Sequence, residues 1–537
     1  MPPHYTILGG GISGLSLAYF LRQRIASTLK QSISLLSTTS IDKEQINQLL
    51  NATITIIESK PRVGGWIETN DQHGHVFERG PRGFRPNGNG VEILRLAEDL
   101  GLSKSAVKTS AESKHRFLYV EGQLQQMPAG LSDLLQLPSV LRGAIQGILR
   151  EPFQPKGLWS DETIDSFVTR RFGKHVARNI VGGMVSGIYG GDITKLSIKS
   201  CFPRLYDLEN EHGSIIKGML KKTKPNIDPF QGPIESDSSF IHEYSKAAQV
   251  SFIHGLEQLT TTLEKELLKD ENVTIVRGDE VVGVCNNGSE SDKGDVHVTL
   301  QSGTVIKSDH IFSTLPSKAL STILQDQTNI VSDQVIHILN EMETCDIGIV
   351  NMAFNDESFI KKPGFGYLIP GSENEKVLGV SFDSCIFPEQ TPSSSDVNKK
   401  NKNKNENENK NENENENKNE KETEKGSVVC VMVGGVNCLN VKDMNKDELL
   451  EEAKTALSKH LQLDRKDIDE KLKSNVIGIV NECIPQYRVG HSANVKILEK
   501  EFKKDLPELT ILGTPFYGVG LADAVSKAKK ISVEFGM

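Results

Sequence analysis

The chain has 537 residues, with 62 Lys and Arg against 71 Asp and Glu (net charge −9), 37% apolar and 25% charged. That is an ordinary globular composition, long enough for roughly two to four domains. It lacks the basic excess of a nucleic-acid binder, and 46 Gly and seven Cys without a C-x-x-C pair exclude a collagen-like chain, a disulfide scaffold and a Cys-based zinc site.

The first predicted element is a short apolar strand at 5–8, followed by the turn Gly9-x-Gly11-x-x-Gly14 and a helix from 15 to about 24. This context gives the glycine motif its meaning. The first glycine permits the tight turn, the second lets backbone approach a pyrophosphate, and the third lets helix pack on strand. The helix N-terminus adds free N–H groups and a positive dipole end. A polar stretch, 26–51, reads as an insertion before the second strand, 53–57, which ends in Glu58. A carboxylate there can accept bonds from ribose hydroxyls, although Glu58 lies 44 residues past Gly14 rather than about 20. The next residues have the form E-x-x-x-R-x-G-G, from Glu58 through Arg62 to Gly64, Gly65 and Trp66. Gly64 and Gly65 admit close backbone approach, and Arg62 offers a charge to a ligand's phosphates.

Residues 91–201 read as mostly helical, with an amphipathic stretch at 131–149 broken at Pro138. A second Rossmann-like block covers 253–316: a helix at 255–268, a strand at 273–276, a hairpin at 281–300 and a strand at 310–314. Residues 320–480 mix strands and helices. Between strands at 377–383 and 427–433 lies 391–426, whose segment 399–425 holds only Lys, Glu, Asn and one Thr. With nothing apolar to offset ordering entropy, it is expected to be a disordered insertion in a hairpin connection. The chain closes with a strand at 509–512, a Gly-rich turn and a helix at 523–535. No transmembrane helix, signal peptide or Arg-rich presequence is expected.

The E-x-x-x-R-x-G-G stretch resembles the GG-doublet of the flavin amine oxidase superfamily. The segments 77–86, 116–119, 197–203, 364–370 and 483–487 resemble its mitochondrial-type protoporphyrinogen oxidase branch, over essentially the whole chain outside 26–51, 222–246 and 391–426. The resemblance implies an α/β fold: a Rossmann-like FAD-binding domain of the amine oxidase type (1–92, 250–320 and 481–537), a mainly helical membrane-contacting domain (93–205) and a mixed α+β substrate domain (206–249 and 321–480). It implies one non-covalent FAD, held by Gly9, Gly10, Gly11, Ile12, Ser13, Gly14, Glu58, Ser59, Arg62, Gly65, Trp66, Gly80, Pro81, Arg82, Gly83, Val281, Thr514, Val519, Gly520 and Leu521.

For substrate, the resemblance implies that Arg116 pairs with a propionate. Leu368 and Met432 hold the macrocycle, while the backbone of Gly187 and Ile188 approaches a ring face. It also implies oxidation of protoporphyrinogen IX by oxygen, with hydrogen peroxide released in haem biosynthesis. No metal and no certain catalytic side chain are implied, because the flavin drives the chemistry. The expected setting is a homodimer, peripheral on the intermembrane-space side of the mitochondrial inner membrane, handing product to ferrochelatase. The rival readings are a flavin amine oxidase of the same fold and a non-catalytic FAD-binding homologue. Without the family, Arg116 reads as a surface charge, Leu368 and Met432 as core, and Arg82 as a partner of Glu78.

Overall fold

In the computed structural model, five strands form an all-parallel sheet in the order Leu509–Ile511, His310–Ser313, His4–Leu8, Thr53–Glu58 and Val273–Arg277. The structure describes residues 2–35, 48, 51–72, 74–128, 139–221, 238–286, 296–325, 330–391 and 426–535. Parallel strands must be covered on both faces, and these are. One face carries the helices Ile12–Leu35, Val91–Asp99, Glu257–Leu267 and Leu521–Glu534 over a core that includes Leu15, Leu21, Ile56 and Val525. The other face packs Ile57 and Ile311 against the antiparallel meander Val281–Asn286, Val296–Leu300 and Val305–Ser308, and against helix His491–Asp505.

A second sheet has seven strands: Leu472–Pro485, Thr344–Phe354, Ser427–Gly434, Val377–Ser381, Gly366–Leu368, Arg116–Val120 and Gln123–Gln126. All pairs are antiparallel except Gly366–Leu368 beside Arg116–Val120. Alternation divides its faces. Phe117, Tyr119, Tyr367, Val429, Val431 and Val433 enter one core under helix Lys446–Leu461. That helix starts with a capping box between Asn445 and Glu448. Leu118, Leu368, Cys430 and Met432 belong to clusters on the opposite face. The helices Ile164–Phe172, Gly182–Tyr189, Pro203–His212 and Ile215–Leu220 share a third core around Phe167, Val185, Leu208 and Ile215.

Several expectations are corrected here. The first helix continues to Leu35 rather than ending near Arg24, because 25–35 contains no Gly or Pro to stop it. Residues 93–126 do not belong to the helical unit. Ile93, Leu94 and Leu96 pack under the parallel sheet, and 116–126 supplies two strands of the seven-stranded sheet. Nor do the described residues of 206–249 join the substrate-side sheet. Leu208 and Ile215 enter the helical core, and Ile241 enters the core beneath the first helix. Strand Leu472–Pro485 runs through the boundary drawn at 480/481. The expected strands flanking the insertion do pair, Val377 with Val433 and Ser381 with Cys430. Residues 392–425, like 36–47 and 131–138, lie outside the described residues.

Candidate functional site: a dinucleotide cradle facing a sheet

The cradle forms where the carboxyl ends of the central parallel strands meet the N-terminus of the first helix. Gly9 leaves the first strand at φ +102° and donates its N–H to Ile57 O at 2.8 Å. Glycine suits that conformation because a side chain would be strained there. The next N–H, of Gly10, donates to Glu58 Oε2 at 2.9 Å, and Lys60 N–H donates to Glu58 Oε1 at 2.9 Å. Ser59 Oγ lies 3.4 Å from the same Oε1. Glu58 is thus buried and oriented, and Oε2, with Gly10 as its one donor, retains acceptor capacity.

The two Gly-rich segments clasp each other. Gly64 N–H donates to Gly10 O at 2.8 Å, and Gly11 bridges Gly64. The glycines are not equivalent. A Cβ on Gly14 would overlap Gly9 O, so Gly14 serves helix-on-strand packing, alongside buried Ile12 and Ser13. A Cβ on Gly11 would find no protein atom nearer than Gly65 Cα at 3.8 Å. The protein has room there, and the bare backbone leaves that space to a ligand. This is the fit a pyrophosphate requires.

Arg62 is differently used than expected. Its Nη1 donates to Val63 O and Ile67 O at 3.0 Å, and its Nη2 to Gly65 O and Glu68 Oε2 at 2.9 Å. Its charge is spent shaping the Gly64–Gly65 loop rather than presented to phosphates. Trp66 is 37% exposed beside it. A Cβ on Gly80 would overlap Trp66 O, which brings 80–83 against this loop. Gly83 faces protein, with its would-be Cβ 2.8 Å from Val250 O, while Pro81 is half-buried. The side chain of Val281 is buried in the core beyond the sheet, two residues past Asp279, whose N–H lies 3.4 Å from Glu58 O.

Arg82 pairs not with Glu78 but with Asp383, Nε to Oδ2 at 3.1 Å. Its Nη2 is buried with no partner among the described residues. Burial works against its charge, but Cys430, Asp383 and Glu78 together hold it above the usual arginine range. A buried cationic donor with a spare N–H between the cradle and the second sheet suits an anionic or carbonyl acceptor on a ligand. Burial pushes Glu78 up to about 8, against the pull of Leu256 N–H, the Thr69 hydroxyl and Arg82.

The C-terminal turn closes the cradle. Gly513 has φ +103°, and its would-be Cβ lies 3.7 Å from Ser13 Oγ, so Thr514 follows directly beside the first helix. Val519 and Gly520 lead into the last helix, which starts at Leu521. Asp523 in its first turn accepts from Asn89 Nδ2 at 2.9 Å.

The five expected substrate residues converge on one face of the second sheet. Leu368 lies beside Gly379, which pairs with Met432. A Cβ on Gly187 would overlap Leu368, so the end of helix Gly182–Tyr189 lies against this face with Ile188 44% exposed. Arg116, opposite Gly366, stands at the rim, exposed, with its guanidinium 5.2 Å from the Phe365 ring. The residues missed from sequence are Asp383, Thr314 and Tyr487. Thr314 Oγ1 donates to Leu8 O at 2.8 Å. Tyr487 lay in a segment already noted as distinctive, and that was its only signal.

A Gly-rich strand–turn–helix, a GG loop and a terminal helix aimed at the same space define a flavoprotein oxidoreductase. The chain belongs to the family of flavin containing amine oxidoreductases, whose profile matches residues 12–492, and FAD is its cofactor. Within that family it resembles the protoporphyrinogen oxidases of Homo sapiens (28% identity, covering 98% of this chain and 97% of the human one) and Dictyostelium discoideum (29%, 98% and 97%). Coproporphyrinogen III oxidase of Bacillus subtilis is 24% identical over 98% of this chain and 96% of its own. A solved structure from Exiguobacterium sp. 255-15, provisionally assigned as a protoporphyrinogen oxidase, superposes with a TM-score of 0.71 at 18% identity, covering 99% and 98% of the two chains.

Proposed function

We propose that the chain oxidises protoporphyrinogen IX to protoporphyrin IX with oxygen as acceptor. The observation that carries this reading is the apolar sheet face of Leu368 and Met432, opposed by Gly187 and Ile188 and rimmed by Arg116. FAD, when bound, supplies hydride acceptance from a meso carbon and passes the electrons to oxygen, giving peroxide. The chain's own part is to hold a flexible macrocycle flat. Leu368 and Met432 supply one wall, and Gly187, whose missing Cβ lets Leu368 pack directly on the helix backbone, sets the end of that helix beside them, with Ile188 exposed next to it. Arg116, braced on Phe365, offers bidentate donors to a propionate outside the slot. Pyrrole N–H protons can leave to water, so no side-chain base is required.

The test is porphyrin fluorescence during aerobic incubation with protoporphyrinogen IX, corrected for spontaneous oxidation. Growth with oxygen consumed supports the reading; faster turnover of coproporphyrinogen III or of an amine overturns it. Arg116→Ala is expected to raise KM roughly tenfold or more, the loss of one charge-assisted contact, with FAD content unchanged. Loss of flavin instead would remove Arg116 from the substrate rim.

We further infer a peripheral site on a membrane; the mitochondrial inner membrane is the one that the family resemblance implies. Two features support a membrane surface. Leu149, Phe153, Leu158, Trp159, Met219 and Leu220 are each more than 60% exposed on the helical unit. Residues 139–221 also carry twelve Lys and Arg against eight Asp and Glu, in a chain of net −9. Apolar contact plus positive charge is the pairing that holds a protein on an anionic bilayer. No helix among the described residues is long and apolar enough to cross one. Co-flotation with anionic vesicles is expected and should weaken in Phe153→Ser/Trp159→Ser protein; equal flotation of both would show that another surface binds.

A further inference from the structure

We infer that Tyr487 is a positioning residue for the flavin, fixing the turn 514–518 through its hydroxyl. The inference rests on the FAD cradle and not on the identity of the substrate. Tyr487 follows the edge strand Leu472–Pro485 and is 2% exposed. Its hydroxyl does two jobs at once. It donates to Thr514 O and accepts from Gly518 N–H at 2.8 Å. These atoms are the two ends of the turn that delivers Val519, Gly520 and Leu521 to the start of the last helix. One oxygen therefore sets the span of that turn.

The ring is held as firmly as the hydroxyl. His491 stacks on it with centroids 4.0 Å apart and planes at 17°, and burial lowers the His491 pKa to about 4, so a neutral imidazole faces the ring. Burial likewise holds the Tyr487 hydroxyl far above the ordinary tyrosine range, keeping its proton for Thr514. The backbone ties the same residue to the substrate side. Tyr487 O accepts from Ser197 N–H at 2.8 Å, and Gln486 Nε2 donates to Tyr189 O at 2.7 Å, next to Ile188. The dipeptide Gln486–Tyr487 thus fixes the flavin-facing turn and the substrate-facing helix end relative to each other. N–H groups at a helix N-terminus stabilise negative charge only within the first turn. Their placement therefore bears more on reduced, anionic flavin than on oxidised flavin.

The experiment is Tyr487→Phe, which keeps the ring stack and removes only the hydroxyl, purified as holoenzyme beside Gln486→Leu. Two half-buried backbone groups, Thr514 O and Gly518 N–H, then lose this partner. FAD affinity is expected to fall on the order of tenfold, the flavin midpoint potential to drop, and the visible flavin spectrum to shift. Gln486→Leu is expected to raise KM and leave the potential in place. If the potential and FAD affinity of Tyr487→Phe match wild type, or move no more than in Gln486→Leu, the inference fails. A measurement on the unaltered holoenzyme guards against a variant that does not fold. The Gly518 amide should exchange with deuterium as slowly as core amides, and exchange at loop rates would overturn the inference.

Discussion

Arg171→Leu is expected to destabilise the helical unit by about 3–5 kcal/mol, the cost of removing one partner from a buried ion cluster. Arg171 is 1% exposed and donates Nε to Glu209 Oε1 at 2.5 Å, Nη1 to Glu151 Oε1 at 3.3 Å and Nη2 to Gly213 O at 3.0 Å. Glu151 is fully buried and also accepts from Ser214 Oγ at 2.5 Å and Ile215 N–H at 2.8 Å. One guanidinium therefore joins the helices Ile164–Phe172, Pro203–His212 and Ile215–Leu220. Leucine would leave two carboxylates facing each other without the cation between them. Arg170 would still reach Glu209 at 2.6 Å, but the described contacts give it none to Glu151.

The pH dependence carries a sign. Burial alone would raise Glu209, yet Arg170 and Arg171 bring it below the ordinary carboxylate value of 4.5. Its contribution is therefore present above pH 4.5 and lost as pH falls through the depressed value. The variant should begin acid unfolding at higher pH than wild type, and its thermal melt should drop at pH 7. An unchanged melt at both would mean that water already satisfies the cluster. Replacing Arg171, Glu151 and Glu209 together by apolar residues of similar volume should recover much of the loss, since an unpaired charge, not an absent pair, is what costs.

Local chemistry was legible in the sequence where it repeats a pattern with a short period. The turn from Gly9 to Gly14, the loop at Gly64 and Gly65 and the strands either side of 391–426 are read from neighbours in the chain, and each stands where it was read. Long-range pairing was not legible. Arg82 meets Asp383 across 301 residues, and nothing in either segment announces the other. Arg62 looked like a phosphate ligand because its charge was visible and the carbonyls of Val63, Gly65 and Ile67 that absorb it were not. The helices at 203–220 failed for a related reason. Nothing in 203–220 announces its partner, which the shared core of Phe167, Leu208 and Ile215 and the ion cluster at Arg171 together identify as Ile164–Phe172.

Gly11→Ala and Gly14→Ala are expected to fail in different ways, and the contrast tests whether the cradle holds a dinucleotide. At Gly14 a Cβ would overlap the carbonyl oxygen of Gly9, a rigid backbone atom in a turn already fixed by its positive φ. The strand and helix would have to separate, so Gly14→Ala should reduce folded protein whether or not FAD is supplied. At Gly11 the added methyl has no protein atom nearer than 3.8 Å, and its φ lies outside the left-handed region, so alanine fits the chain. It does not fit a ligand laid over that backbone. The overlap should cost about 1–3 kcal/mol, which is roughly 5- to 150-fold in FAD affinity. Gly11→Ala should therefore fold, melt as wild type when stripped of flavin, and emerge from purification pale. Wild-type FAD affinity in Gly11→Ala would move the pyrophosphate off this turn and leave Gly11 as a residue of the Gly11–Gly64 bridge. Loss of folded protein in Gly11→Ala would mean that the clasp between the two Gly-rich segments is as tight there as at Gly14.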